Sequence, residues 1–496
     1  FMAVYAVVSH LKILRLFLRI VGVVTQLLIS ILTYRTFRKF VTENTAFVIA
    51  VFYYNIIPKN STVPDFSNML LWFSTLAFLS FLEFSLNRGT SARRPAFFLI
   101  AAGVSTSLLV LSYPTCIFVV LPGCIGIWLL SAAGNRLKNL LIYLGTCGVC
   151  GLGWLAYFLC HMSFRQFLDG LSEMLTDGSH DVGLLGKLKD NLSCLGETFP
   201  YLLVALVIAL VFWCFFRFIC RKNYRFFLLL IISLILEQLF VWYRLQKHIE
   251  YPGFVYLLFP LWGIYCYFHC KKSSGELAPV YKALFWFGSI TSLFLLLAAF
   301  TASNTMLYES ADYMAIGMLV SLCYAERETL ESPVFWKSFV LLFVGLAIIH
   351  KGFLLYNIYG HDTIFVTRQK AEEGPMAGIY DRYSDGYEYN IRGRLLDEFI
   401  PRGSKVLIAS HKSIMYLQED YVICNYSTIS TPTIDERLFQ YWTLYPDKVP
   451  EYIVWDKGSE GYIATNPEVN AHLVENAELL VDDEGLLIYR LPANPY

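Results

Sequence analysis

Charge is what this sequence has least of. Asp, Glu, Lys and Arg make up 16% of its 496 residues, where an ordinary soluble domain carries about 25%. The shortage is uneven: long apolar runs fill the chain from Phe1 to about Gly360, and a mixed, soluble-type composition follows from His361. A chain that is soluble throughout is thereby excluded. Net charge is also absent, with 39 basic against 39 acidic side chains, so nothing draws a polyanion, and nucleic acid is not an expected partner. No secretory signal peptide and no Gly-rich phosphate loop is visible. Residues 1–13 hold no Asp or Glu. The stretch after His361 has a single cysteine, Cys424, which excludes an internal disulfide there. Cys147 and Cys150 have redox spacing, but they lie inside an apolar run, where cysteine serves packing.

What is present is a series of apolar segments. A membrane span needs about 20 apolar residues to cross about 30 Å of hydrocarbon. The pattern predicts spans near 14–34, 44–57, 67–85, 95–112, 115–131, 139–160, 198–216, 226–243, 252–270, 281–301, 311–325 and 338–357, of which 44–57 and 311–325 are short. Cytoplasmic loops carry the Lys/Arg excess. One set of alternate loops holds seventeen cations, beginning with Arg35, Arg38 and Lys39 and ending with Arg327 and Lys337; the other set holds seven. The sets alternate without a break only for twelve spans. That reading gives a multi-pass protein of the cell membrane with a domain at 1–360, followed by an extracytoplasmic domain at 361–496. Phe1 then also lies outside, which calls for one more helix upstream.

The expected outer face holds the candidate site. Between about 161 and 197, Phe164, Phe167, Leu168, Leu171 and Leu175 recur at three- and four-residue spacing around Arg165, Asp169 and Glu173. This predicts an amphipathic helix on the outer leaflet, as a lid for a lipid substrate or as a plain surface helix. The hairpin containing Arg244, Lys247, His248, Glu250 and Tyr251 is the densest outer group of cations. It suits lipid phosphate oxygens, or it snorkels. Arg15 and Arg19, four apart, share a helix face; Glu237, His350 and Lys351 interrupt apolar runs. Ionisable groups at such depth face a cavity or a partner. Glu83, near a cytoplasmic end, reads as snorkelling. In the short loop with Lys59, Asp65 stands directly before a span, as an N-cap or as a substrate contact.

Four stretches together resemble the polyprenyl-phosphate-dependent membrane glycosyltransferases of the GT-C fold, above all the bacterial relatives of protein O-mannosyltransferases and of the aminoarabinose lipid A transferase. They are Leu14-Arg15-Leu16 running to Arg35, Pro64-Asp65, Tyr113-Pro114, and His248 to Pro260 with Tyr251 and Pro252. The resemblance implies a polytopic all-α bundle with an extracytoplasmic α/β domain. It implies an inverting hexosyl or pentosyl transfer from a polyprenyl-phosphate sugar donor to a glycan, lipid or protein acceptor on the outer face of the bilayer. Arg15, Arg19, Lys59, Arg244, Lys247 and His248 would meet the lipid phosphate, with Asp65, Glu250 and Tyr251 as further substrate contacts. The family's catalytic acid lies in the first external loop, and residues 1–13 offer none; the expectation is a chain lacking its first helix and that loop. No cofactor motif and no metal-ligand set is evident, and a divalent-metal requirement stays open. The other functions considered are a non-catalytic lipid-binding or assembly protein and a flippase of lipid-linked sugars.

Beyond His361, Val406–Ala409, Tyr421–Asn425, Tyr452–Trp455 and Leu487–Leu491 predict strands. Asn390–Ile400, Ile434–Tyr445 and Glu468–Asn476 predict helices. Alternation of this kind points to a small α/β layer. His411, Asp435, Glu436, Asp447 and Asp456 show no metal or triad spacing, so a binding or packing role is expected rather than a second active site.

Overall fold

The computed structural model describes residues 14–56, 63–88, 93–175, 184–224, 253–270, 278–301, 314–329, 368–372, 374–410, 412–426, 436–458 and 477–492, with shorter pieces between 226 and 236 and at 433–434, 464–465 and 474–475. The chain divides into two compact units, residues 21–364 and residues 1–20 with 365–496.

The larger unit is helical. Its elements are α1 (Leu14–Phe37, begun in the other unit), α2 (Glu43–Asn55), α3 (Phe66–Leu86), α4 (Arg93–Ser112), α5 (Val120–Leu130), α6 (Arg136–His161), α7 (Phe164–Leu175), α8 (Leu184–Cys214), α9 (Gly253–Cys270), α10 (Ala278–Ala283), α11 (Thr291–Thr301) and α12 (Ala315–Thr329). Six helices among the described residues are long and apolar enough to cross a membrane: Leu16–Phe37, Phe66–Leu86, Arg93–Ser112, Ala133–His161, Phe199–Ile219 and Pro279–Thr301. Shorter apolar helices, Pro114–Leu130, Leu258–Phe268 and Ala315–Glu326, stand at three more of the expected spans, and α2 stands at a fourth. The expected spans at 226–243 and 338–357 fall largely or wholly outside the described residues.

The orientation of side chains on α1 is the reverse of that on a soluble helix. Ile20, Val23, Val24, Leu27, Leu28, Ile31 and Leu32 are all exposed, whereas Gln26, Ser30, Thr33 and Thr36 are buried. A surface helix in water puts its polar stripe outward. An outward stripe made wholly of aliphatic side chains, with hydroxyls and an amide inside, is stable only against hydrocarbon. The protein is therefore a membrane protein.

The buried polar groups of α1 have a task. Helix α2 has 13 residues, about 20 Å at about 1.5 Å per residue, shorter than the roughly 30 Å of hydrocarbon. Carbonyls at its C-terminal end run out of helical N–H partners, which is costly in an apolar medium, although Tyr53 O still accepts from Ile56 N at 3.0 Å. Gln26 Nε2 donates to Tyr53 O and to Ile56 O, both at 3.0 Å, and Ser30 Oγ donates to Ala50 O at 2.8 Å. Gln26 Oε1 in turn accepts from Trp72 Nε1 at 2.6 Å, so one amide ties α1, α2 and α3 together.

Helix α3 is the centre of the bundle, buried on most of its circumference, while α6 is almost wholly exposed. Across the centre, Phe81 stacks on Phe287 with ring centroids 4.2 Å apart and planes 6° from parallel. Phe287 belongs to a π-helical turn, Leu284–Ile290, between α10 and α11. Gly126 makes room for that ring; a Cβ there would lie 2.4 Å from Phe287 Cε1.

Two expectations need correction. Glu83 does not snorkel: it is buried, pairs with Lys39, and accepts from Thr36 Oγ1 at 3.0 Å and from Asn87 Nδ2 at 3.1 Å. Its neighbours supply enough donors for a carboxylate to stay inside the bundle. The long loop expected over 161–197 is also shorter. Helix α8 begins at Leu184 and carries Pro200 within it. The polar residues Lys187–Asn191 obscured a helix that precedes its own apolar half. The amphipathic segment does form α7, opened by a reciprocal cap: Ser163 N donates to Gln166 Oε1 at 2.9 Å and Gln166 N donates to Ser163 Oγ at 3.2 Å. Phe167 packs on Trp154 and Phe158 of α6, while Phe164 and Leu168 remain exposed.

The other unit holds a five-stranded mixed sheet, order β4-β3-β6-β9-β8, with β3 (Lys405–Ala409), β4 (Val422–Ile423) and β6 (Tyr452–Asp456) parallel, and β8 (Glu478–Asp483) and β9 (Leu486–Arg490) antiparallel. A hairpin of β1 (Arg368–Lys370) and β2 (Tyr380–Arg382) precedes it, and β5 (Thr433–Ile434) pairs with β7 (Ala464–Thr465). Helix α13 (Tyr383–Phe399) packs Leu396 on Val406, Ile408, Val454 and Ile488 of one sheet face. Helix α14 (Glu436–Leu444) packs Leu438 and Trp442 on the other, with Leu407, Ile453 and Cys424. Burial there pushes the Cys424 thiol up to about 12, so it is an inert core group. Helix α13 starts seven residues before the expected Asn390. The apolar runs of β8 and of the short strands were too brief to stand out, and most of Glu468–Asn476 lies outside the described residues.

Gln26→Leu adds apolar surface and keeps the volume, yet it removes three hydrogen bonds, those to Tyr53 O and Ile56 O and the one from Trp72 Nε1, each worth about 1 kcal/mol. The variant in lipid nanodiscs is expected to unfold several degrees below the native protein by differential scanning calorimetry; equal or higher stability would show that the amide carries no structural burden.

Candidate functional site

The two ends of the bundle differ in chemistry. At one end Lys39 meets Glu83, Arg88 donates to Leu130 O, Asn139 Nδ2 donates to Ser131 Oγ at 2.9 Å, and Arg136 lies 5.7 Å from the Trp128 ring. At the same end Ser85 Oγ donates to Pro279 O at 3.3 Å. The backbone N–H of Thr42, before α2, donates to the buried Glu326 carboxylate at 3.0 and 3.3 Å. Loops that were expected to share the cation-rich side therefore do gather at one end.

Asp65 lies at the far end of α3. It is the N-cap of that helix: Oδ1 accepts from Asn68 N at 2.8 Å and from Asn68 Nδ2 at 2.9 Å. Its Oδ2 makes no hydrogen bond among the described residues, and the side chain is half-buried. Next to it, the Phe66 ring stacks on Tyr113 at 5.7 Å. Tyr113 holds an extended backbone between α4 and the 3-10 turn Pro114–Val119, so Tyr113-Pro114 is a helix break. Pro64-Asp65 and Tyr113-Pro114, far apart in the chain, thus come together at the end opposite the cations.

Of the other expected site residues, Arg19 is exposed on α1, and Arg15 is described only as a residue of that helix. Lys59, Arg244, Lys247, His248, Glu250 and Tyr251 lie outside the described residues, as do Glu237, His350 and Lys351.

Two groups escaped the sequence reading. Lys187, on the first turn of α8, is 3% exposed, and its Nζ has no hydrogen-bond partner among the described residues. Burial lowers its pKa. Nothing in the sequence distinguishes it from a solvated lysine. The second group lies at the carboxyl ends of β3 and β6. Asp456, fully buried, accepts from Ser410 Oγ at 2.8 Å and from Gly458 N at 3.0 Å, and pairs with Arg392 Nη1 at 3.1 Å. Arg392 Nη1 also meets Glu388 Oε1 at 2.5 Å, and Lys412 Nζ meets the same oxygen at 2.6 Å. The expectation for Asp456 rested on spacing along the chain, and its partners come from three separate elements. Among the described residues no three His, Cys, Asp or Glu side chains are grouped to hold a metal ion.

Asp65→Ala is expected to cost about 1 kcal/mol of stability and Asp65→Asn almost nothing, since Asn caps as well as Asp; calorimetry of both variants in nanodiscs checks the pair, and an equal loss for both would mean that the charge, not the cap, is what α3 needs. Neither a protein-family model nor a curated protein matches this chain.

Proposed function

We propose that the protein is a membrane glycosyltransferase of GT-C type that moves a sugar from a polyprenyl-phosphate donor to an acceptor on the outer face of the cell membrane. The observation that carries the reading is the meeting of Pro64-Asp65 with Tyr113-Pro114 at the end of the bundle away from the cation-rich loops. Both stretches carry the family resemblance, and their joint position makes one substrate-facing end. Under the positive-inside rule the cation-bearing end would be cytoplasmic; with the twelve spans expected from the sequence, Asp65 and the C-terminal α/β domain would then be outside.

The chemistry follows from charge. The departing group is a lipid phosphate, on which negative charge grows in the transition state, so fixed cations lower the barrier. Lys187 suits that role: an ammonium with no partner among the described residues gains most from an anion. Arg15, Arg19, Arg244, Lys247 and His248 are the further candidates. Asp65 Oδ2 is placed to accept a hydrogen bond from a sugar or acceptor hydroxyl, while Oδ1 stays with the helix. None of these residues is assigned the role of general base, which takes the acceptor proton.

The protein, in liposomes with radiolabelled polyprenyl-phosphate hexoses and pentoses, is expected to release polyprenyl phosphate and to glycosylate a cell-envelope extract. Lys187→Met is expected to slow release at least tenfold. Asp65→Asn is expected to slow it at unchanged stability, which separates substrate contact from capping. Absence of turnover with every lipid-linked sugar would overturn the assignment.

A further inference from the structure

The connections in the α/β domain diverge at one point. From β3 the chain moves to β4 on one side; from β6 it moves towards β8 and β9 on the other. The crevice at the carboxyl ends of two such neighbouring parallel strands is where open α/β sheets bind ligands. Ser410 directly follows β3, Asp456 ends β6, and Arg392 of α13 lies against Asp456. Beside this group a small cleft opens, lined by Met376, Glu388, Tyr389, Arg392, Lys412 and Gln418 among others. It encloses about 20 Å³ of room for water centres, enough for one or two waters, and continues outward to solvent.

Two glycines shape the cleft wall. Gln418 lies across both: a Cβ on Gly374 would come within 2.2 Å of its Oε1, and one on Gly393 within 2.9 Å of its Nε2. Gly374 also holds φ +70°, a left-handed conformation that side chains resist. Gln418 Nε2 donates to Asp397 Oδ2 at 3.2 Å. Lys412 Nζ sits 5.5 Å from the centre of the Tyr389 ring.

Charge selects the ligand. Glu388, Arg392, Lys412 and Asp456 sum to zero, and each already faces an opposite charge. An ionic ligand would have to break an existing pair and leave a charge uncompensated. A hydroxyl group asks for no such exchange. It can donate to Glu388 Oε2, which makes no hydrogen bond among the described residues, and accept from Lys412, whose remaining N–H groups are not all used by Glu388. Glu388 and Lys412 are the more open members, with side chains 28% and 18% exposed. Tyr389, half-buried beside Lys412, adds apolar surface for the carbon face of a ring.

We propose that this cleft is a binding site for a neutral, hydroxyl-rich ligand, a glycosyl unit, with Glu388 and Lys412 gripping one hydroxyl where water now fits. The inference rests on the α/β domain alone and does not depend on the transferase reading of the bundle.

The test uses the whole chain in nanodiscs free of glycosidic detergent and saturation-transfer NMR with methyl glycosides of glucose, mannose, galactose and arabinose. At least one glycoside is expected to receive transfer, with a millimolar or tighter Kd. Glu388→Gln and Lys412→Met should each weaken it at least tenfold, whereas Arg402→Gln, which removes an exposed ion pair with Glu419 elsewhere in the domain, should leave it unchanged. Calorimetry identifies a variant that fails to fold, and the other then decides. No transfer to any glycoside, transfer unchanged in both cleft variants, or displacement of the signal by acetate or phosphate at equal concentration would each overturn the proposal; the last would make the cleft an anion site.

Discussion

A backbone carbonyl that finds no water must find a donor inside the protein, and this requirement organises the helical unit. Helix α2, at 13 residues, is shorter than a full span of about 20. The chain answers with a glutamine on the neighbouring helix, whose amide caps two carbonyls and accepts from an indole. The same logic turns α1 inside out, with hydroxyls and the amide facing the bundle and aliphatic side chains facing away. At the other end of α2 the acceptor is a buried carboxylate, Glu326, over the first turn. The short helix is held at both ends by groups that would be costly in hydrocarbon without it.

Much of this was legible from the sequence, for a physical reason. Apolar runs separated by basic clusters mark helix ends well, and α1, α3, α4 and α6 fall within a few residues of the expected bounds. The strand at Val406–Ala409 was legible because a fully buried parallel strand is a short, unbroken apolar run. Polar contacts were not. Glu83 looks like any acidic residue at a helix end until Lys39, Thr36 and Asn87 are seen around it. Lys187 looks solvated because burial depends on neighbours distant in the chain. Asp456 was set aside because its partners Ser410 and Arg392 come from another strand and a helix, a spacing that follows from sheet order and not from any motif. Asp65 was left open between a helix cap and a substrate contact; the geometry makes it a cap through Oδ1, with Oδ2 making no hydrogen bond among the described residues.

The two units carry different kinds of candidate chemistry. The helical unit offers a carboxylate with one oxygen unbonded among the described residues, beside a helix break at the end away from the cations. The α/β unit offers a cleft at the point where its sheet connections diverge, ringed by charges that already cancel. A transferase that handles a lipid-linked sugar has use for both: a place where charge on a phosphate is met, and a place where hydroxyls are recognised without charge. The division follows the charges. A buried cation gains strongly from an anion, whereas a site whose charges already cancel must rely on hydrogen bonds and a ring face.

The central claim is that the end of the bundle bearing Asp65 and the end bearing the cations lie on opposite sides of a membrane, the first outside. Single cysteines at Val63 and at Ala133, in a background without the native cysteines, test it with a membrane-impermeant maleimide. Labelling of the Val63 variant in intact cells, and of the Ala133 variant only after permeabilisation, is the result expected. Labelling of both from the same side would contradict the account, because the alternation of helix directions, the positive-inside assignment and the outward site would all fail together.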